Sequence, residues 1–166
     1  MSIIKRIRTD FHAMNLIYPF CGGIAMAILS VVTLMSSNCH PIYQWMLLPR
    51  GALPYFIFAL ISVTMFFLFG AALGSLFAIC HCKQSNCFSV IMIIFDVIAT
   101  MLWYYVLFRS FHGLIAIMLL FVCMGLELIL IRENLFANSI TVILLVLIIF
   151  IRLHFLWLNI GINFLN

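Results

Sequence analysis

The sequence predicts an all-α membrane protein, a single bundle of five transmembrane helices. Hydrophobic residues make up 67% of the chain and charged residues only 7%, far from the roughly one half and one quarter of soluble domains. Apolar runs near the ~20 residues needed to cross a 30 Å hydrocarbon core recur five times. All links but the first are short, which makes consecutive helices antiparallel neighbours in one domain over residues 1–166. No internal repeat, low-complexity segment or soluble domain interrupts the pattern.

The first run, Met14–Met35, follows the basic residues Lys5, Arg6 and Arg8. It is too long for the apolar core of a signal peptide and ends in Ser-Ser-Asn-Cys-His without a small-x-small cleavage site, so it reads as a retained helix. A long loop, Ser36 to Leu53, carries Pro49 and leads to Pro54, which suits the first turn of a helix because that turn's N–H has no partner to lose. The second span, Pro54–Ile79, meets no charge before Lys83. Its end, Gly70-Ala71-Ala72-Leu73-Gly74, spaces small residues so that another helix backbone can approach. Gly23 and Ala27 give the first helix a similar face. The remaining spans are expected over Phe88–Phe108, His112–Ile131 and Ser139–Leu158.

Lys5, Arg6, Arg8, Lys83 and Arg132 collect on one side of this arrangement, and the other side holds Arg50 and Arg109. The bias places the N-terminus inside and the long loop and C-terminus outside. The net charge of +4 is spread along the chain; it points to anionic lipid headgroups and not to nucleic acid.

Several polar residues fall inside the spans. Asp96, Thr100 and Trp103 follow one another at i, i+4 and i+7 and share a helix face. Asp96 lies near the bilayer middle, where it meets either a neighbouring helix or a polar cavity. Glu127 is read as a charge that snorkels to the headgroups from the inner end of the fourth span. Arg152 lies deep in the fifth, with Asn159, Asn163 and Asn166 on about the same stripe. It either snorkels outward or meets an acid. Asp96 is its best partner, although the expected helix ends leave about 8 Å along the normal between the two Cα atoms at 1.5 Å per residue.

The six cysteines do not form a disulfide framework. Cys21 and Cys123 lie in spans, Cys39 lies in the first loop, and Cys80, His81, Cys82 and Cys87 lie in the second. The C-x-C-x4-C spacing is not the C-x2-C pair of structural zinc sites, so these thiols are read first as reduced or lipidated, with Cys80, His81, Cys82 and Cys87 as candidates for a metal in the lesser alternative. Leu102 to Arg109 meets a loose sterol pattern that is frequent by chance.

Tyr43, Pro49, Pro54 and Gly70 stand in register with a Tyr, a K-P-x-W-x-P-P loop, a helix and a glycine. Asp96, Thr100, Trp103 and the Leu107-Phe108 pair stand in register with Q-x-x-x-N-x-x-W and an F-F pair, and Ala116 with a following alanine. Leu158, Asn159, Ile162, Leu165 and Asn166 match L-N-x-x-I-W-x-L-N. In these stretches the chain resembles the TspO/MBR family, the translocator proteins or tryptophan-rich sensory proteins, as a divergent member. Leu48, Gly51 and Leu53 depart from the loop's Lys, Trp and first closing Pro, and only Trp45, Trp103 and Trp157 are present.

The resemblance implies a cavity among the helices, capped by the first loop, that binds a hydrophobic ligand. A tetrapyrrole, porphyrin or haem, leads, and a sterol is second. It implies a role in transport, sensing or stress response, in a homodimer, with no cofactor required. The membrane would be a bacterial inner membrane or, as the alternative, the outer mitochondrial membrane. Its ligand-binding positions are Tyr43, Pro49, Arg50, Asp96, Thr100, Trp103, Ile151, His154, Phe155 and Leu158. Trp103 would form a wall and Arg50 would meet a carboxylate. His154 either ligates haem iron or serves as a packing hydrogen-bonder. No nucleophile–base pair or metalloprotease motif is present, and Gly51 replaces the loop Trp linked to the family's porphyrin-degrading activity, so the chain is not read as an enzyme. The alternatives are a small transporter or channel subunit using Asp96 and Arg152, and a non-catalytic membrane scaffold.

Overall fold

The computed structural model describes residues 16–79, 84–135 and 138–165. Within them lie the helices α1 (Ile17–Ser36), α2 (Cys39–Trp45), α3 (Tyr55–Ile79), α4 (Gln84–Phe108), α5 (Gly113–Asn134) and α6 (Ser139–Leu165). All but α2 are long and apolar enough to cross a membrane. The protein is an integral membrane protein built as a five-helix bundle. α1 packs on α3, α3 on α6, α6 on α5 and α5 on α4, while α2 rests against α1, α3 and α4 at one end of the bundle. We call that end the loop end.

Three helices are longer than their apolar runs predict. α4 begins at Gln84 instead of Phe88, α5 continues to Asn134 instead of ending at Ile131, and α6 continues to Leu165 instead of ending at Leu158. The polar residues that looked like helix ends are used within the helix. Asn159 is buried, and Asn163 returns its side-chain N–H to the Asn159 carbonyl at 3.1 Å. Gly161 lets the chain pass under Pro49, whose Cγ would lie 2.6 Å from any added Cβ.

The first connection is structured. Asn38 takes a left-handed backbone with φ of 54°, a conformation Asn tolerates, and turns the chain from α1 into α2. The Tyr43 hydroxyl then donates to the Leu53 carbonyl at 2.7 Å, and its ring stacks on Phe58 with centroids 4.9 Å apart. Between them, Ala52 N–H donates to the Pro49 carbonyl at 3.0 Å, and Gly51 has φ of +89°. Proline second-to-last before a glycine with positive φ defines a tight turn in which a tryptophan at Gly51 would be strained.

Backbone contact joins α1 to α3. A Cβ on Gly70 would strike the Gly22 carbonyl and come within 2.8 Å of the Gly23 Cα, and one on Gly74 would strike the Tyr18 carbonyl. Gly23 lies under the Phe67 ring. Both small-residue faces therefore meet within one chain, as close van der Waals packing in lipid favours.

At the end opposite the loop, Asn138 caps α6 by accepting from the Ile140 and Thr141 N–H groups at 3.1 Å each. Thr141 in turn bonds Ser75 of α3 at 2.6 Å, and Asn134 of α5 donates to Ser89 of α4 at 3.0 Å. Between the two ends, the centre is aromatic. Trp103 stacks on Phe155 with centroids 5.2 Å apart and planes at 12°, and Phe58, Phe66, Tyr104 and Phe108 close around them.

Replacing Gly70 by Ala should lower the melting temperature in detergent. The gain of about 1 kcal/mol in helix propensity is outweighed by a backbone clash that no rotamer relieves. Gly125→Ala is the control, since a Cβ there meets nothing within 4 Å, and it should leave the melting temperature equal or higher. A second prediction concerns Cys39, which is fully buried and whose thiol burial pushes up to about 12. At neutral pH it stays a thiol, and only the thiolate alkylates quickly. In single-cysteine variants, a water-soluble maleimide should label exposed Cys87 and spare Cys39 until the bundle is denatured. Rapid native labelling of Cys39 would contradict this packing.

Candidate functional site

A cavity of about 730 Å³ opens at the loop end. Pro41, Ile42, Trp45 and Met46 form one wall, and the facing wall comes from Leu107, Phe111, Gly113, Ile162 and Asn163 at the ends of α4, α5 and α6. Its volume falls in the range of ordinary small-molecule sites, about 300–1,000 Å³. The walls are aromatic and aliphatic, and Asn163 brings an amide among them. Trp45 is 87% exposed, so a large flat surface stands ready at the rim. Phe111 holds φ at 56°. A bulky residue in the left-handed region is an outlier of the kind that collects at binding sites. The Asn163 amide occupies the space that a Cβ on Gly113 would take.

A second polar feature lies in the middle of the bundle. Arg152 stands at the central residue of α6 and Asp96 at the central residue of α4. Arg152 Nη2 donates to Asp96 Oδ1 at 2.7 Å and to Thr100 Oγ1 at 2.7 Å. Its Nε donates to Glu127 Oε1, and its guanidinium carbon lies 5.5 Å from the centroid of the Phe69 ring. The Thr100 hydroxyl is itself spent on the Asp96 backbone carbonyl, 2.7 Å away. All three charged side chains are 0% exposed.

The separation of about 8 Å expected between Asp96 and Arg152 is corrected here. It followed from helix ends that were too short, and extending α4 and α6 brings both residues to the same depth. The snorkelling role expected for Glu127 is corrected as well. Glu127 lies on the buried stripe Ala116, Leu120, Cys123, Glu127, Leu130 and Asn134, whose spacing of three and four residues is the core face of a helix.

The residues expected to hold a ligand are divided among four places. Asp96 and Thr100 belong to the ion cluster. Tyr43, Trp103, Phe155 and Leu158 are packed into the core. Ile151 and His154 line a groove on the outside of α3 and α6 with Leu60, Ile61, Thr64 and Phe150, where His154 stacks on Trp157 with centroids 5.7 Å apart. Pro49 rests on Gly161, and Arg50 is exposed at the tip of the turn. Trp103 and His154 thus share no cavity. Two residues from separate helices do meet, however. With its amide oxygen turned toward α4, Asn159 accepts from the Trp103 indole N–H at 3.2 Å. Asn166 and the metal candidates Cys80, His81 and Cys82 lie outside the described residues.

The cavity walls were not foreseen from the sequence, though a signal was there. Pro41 three residues after Asn38 fits the first turn of a helix. A helix from that point puts Ile42, Trp45 and Met46 on one face at i, i+3 and i+4.

No protein family, no curated protein and no solved structure matches this chain.

Proposed function

We propose that this integral membrane protein binds a flat, largely apolar ligand in the loop-end cavity, in the manner the TspO/MBR resemblance implies. A tetrapyrrole, porphyrin or haem, is the leading class and a sterol the second. The carrying observation is the 730 Å³ cavity formed between the first connection and the ends of α4, α5 and α6 beside it. A tetrapyrrole offers two aromatic faces and a carboxylate edge. Trp45 and Phe111 supply surfaces for the faces, Met46 adapts to an irregular outline, and Asn163 supplies an amide for the edge. Exposed Arg50, on the connection that follows α2, supplies a cation for a carboxylate. Binding in this role serves carriage of the ligand between leaflets, its sensing, or its sequestration under stress.

Titration of the purified protein with metal-free porphyrin and with haem tests the reading. Trp45→Ala should weaken binding of both about ten- to a hundredfold, the equivalent of about 1–3 kcal/mol for a lost aromatic contact. His154→Ala should change neither affinity nor the haem absorption band, because His154 faces the groove between α3 and α6. Trp103→Ala should act on folding instead, lowering stability by about 3–5 kcal/mol as a large core truncation. Parent-like binding by Trp45→Ala, or a shifted haem band in His154→Ala, would place the ligand elsewhere.

A further inference from the structure

Arg152 keeps its positive charge under all ordinary conditions, yet it faces two carboxyl groups. With both ionised, the cluster would carry one uncompensated negative charge at the middle of the bilayer, among the costliest places for it. Hydrogen bonding leaves the same residue unanswered. Asp96 and Glu127 meet on one guanidinium, at its Nη2 and its Nε, and Asp96 Oδ2 and Glu127 Oε2 have no hydrogen-bond partner among the described residues.

We propose that Asp96 and Glu127 hold one proton between them, making the cluster a proton-binding site at the centre of the bundle. With the proton bound, the charges of Arg152 and the remaining carboxylate cancel, and one orphan oxygen becomes a donor to the other.

Among the described residues, no neighbouring group supplies this charge. α4 contributes Asp96, Thr100 and Tyr104, α5 contributes Cys123 and Glu127, and α6 contributes Arg152. Cys123 and Tyr104 are neutral when protonated and add no positive charge. Thr100 donates to a backbone carbonyl. α3 faces the cluster with Phe69 and carries no Lys, Arg, His, Asp or Glu between Tyr55 and Ile79. Arg152 Nη1, the remaining donor, makes no hydrogen bond with any described residue. A metal cation would require more oxygen ligands than the two orphan atoms provide, whereas a proton requires only those two.

The proton should couple to folding. The unfolded chain releases it at the ordinary carboxyl range, near pH 4, while the folded bundle retains it at neutral pH. Unfolding then releases a proton, so stability falls as pH rises. Either single amide variant, Asp96→Asn or Glu127→Gln, leaves one cation facing one carboxylate and removes the need for the proton.

Infrared spectroscopy of the full chain in detergent or lipid nanodiscs tests this directly. The chain has four acidic side chains in all, so protonated carboxyls can be counted. The parent should show one protonated carboxyl per chain at neutral pH. Asp96→Asn and Glu127→Gln should each abolish that band, and each should flatten the fall in melting temperature that the parent shows on the alkaline side. The double variant strands Arg152 and should lose the folded bundle. Should one single variant fail to fold, the parent spectrum and the other variant still decide. An absent band in the parent, a band that survives in both single variants, or a parent stability that rises with sodium or potassium instead of with protons would overturn the proposal.

Discussion

A guanidinium in hydrocarbon has to be met by the protein, since no water is at hand and the group does not lose its proton. Arg152 is met from two sides, by Asp96 of α4 and Glu127 of α5. These contacts fix the relative height of three helices at once. A slide of one residue, about 1.5 Å along a helix, is enough to break bonds of 2.7 Å. The Thr100 hydroxyl, at one turn from Asp96, narrows the allowed rotation of α4 in the same way. Apolar packing alone would leave that register loosely specified, because leucine against isoleucine is much the same one turn up or down. Retaining a single register is the best-attested use of buried polar groups.

The other half of the bundle is held by different means. α1 and α3 meet through Gly22, Gly23, Gly70 and Gly74 with their backbones in contact, and no charge is involved. α3 then joins the two halves through Ser75 with Thr141 at one end and the Phe58, Phe66 and Phe155 rings further along. At the loop end, the walls of the cavity are extensions of helices already aligned by the ion cluster. The position of Asn163 relative to Gly113 therefore inherits the accuracy of the Arg152 contacts about three to four turns away.

Much of the fold was legible in the sequence, because apolar run length alone separates five spans from their connections. The resemblance also singled out Trp103 and Asn159, and these two do touch. Helix ends were less legible. Gln84, Ser85, Asn86 and Asn159 read as loop by polarity, but polar residues at a helix end are stable wherever water, headgroups or another helix can satisfy them. Glu127 was misjudged because its depth was weighed and its face was not. The candidate site was the least legible part. Its walls come from segments far apart in sequence, and α2, which forms one wall, offers only a single turn of apolar spacing behind Pro41, too little to separate a helix from a loop. The interior aromatic residues that looked like a ligand cage instead fill the space themselves.

The pairing of Arg152 with acids on earlier helices also bears on how the chain enters a membrane. Asp96 and Glu127 are synthesised first, and each is costly in hydrocarbon without its partner, for an aspartate at a helix centre by roughly 2.5–3.5 kcal/mol on an insertion scale. α6 carries the same kind of cost in its own middle. Neither side is a comfortable guest of the lipid alone, and each becomes one only in the other's company. Insertion of α4, α5 and α6 is thus expected to be a joint event, with the earlier pair held beside the translocation machinery until the last described helix arrives. α1 and α3, free of charge along their spans, have no such reason to wait.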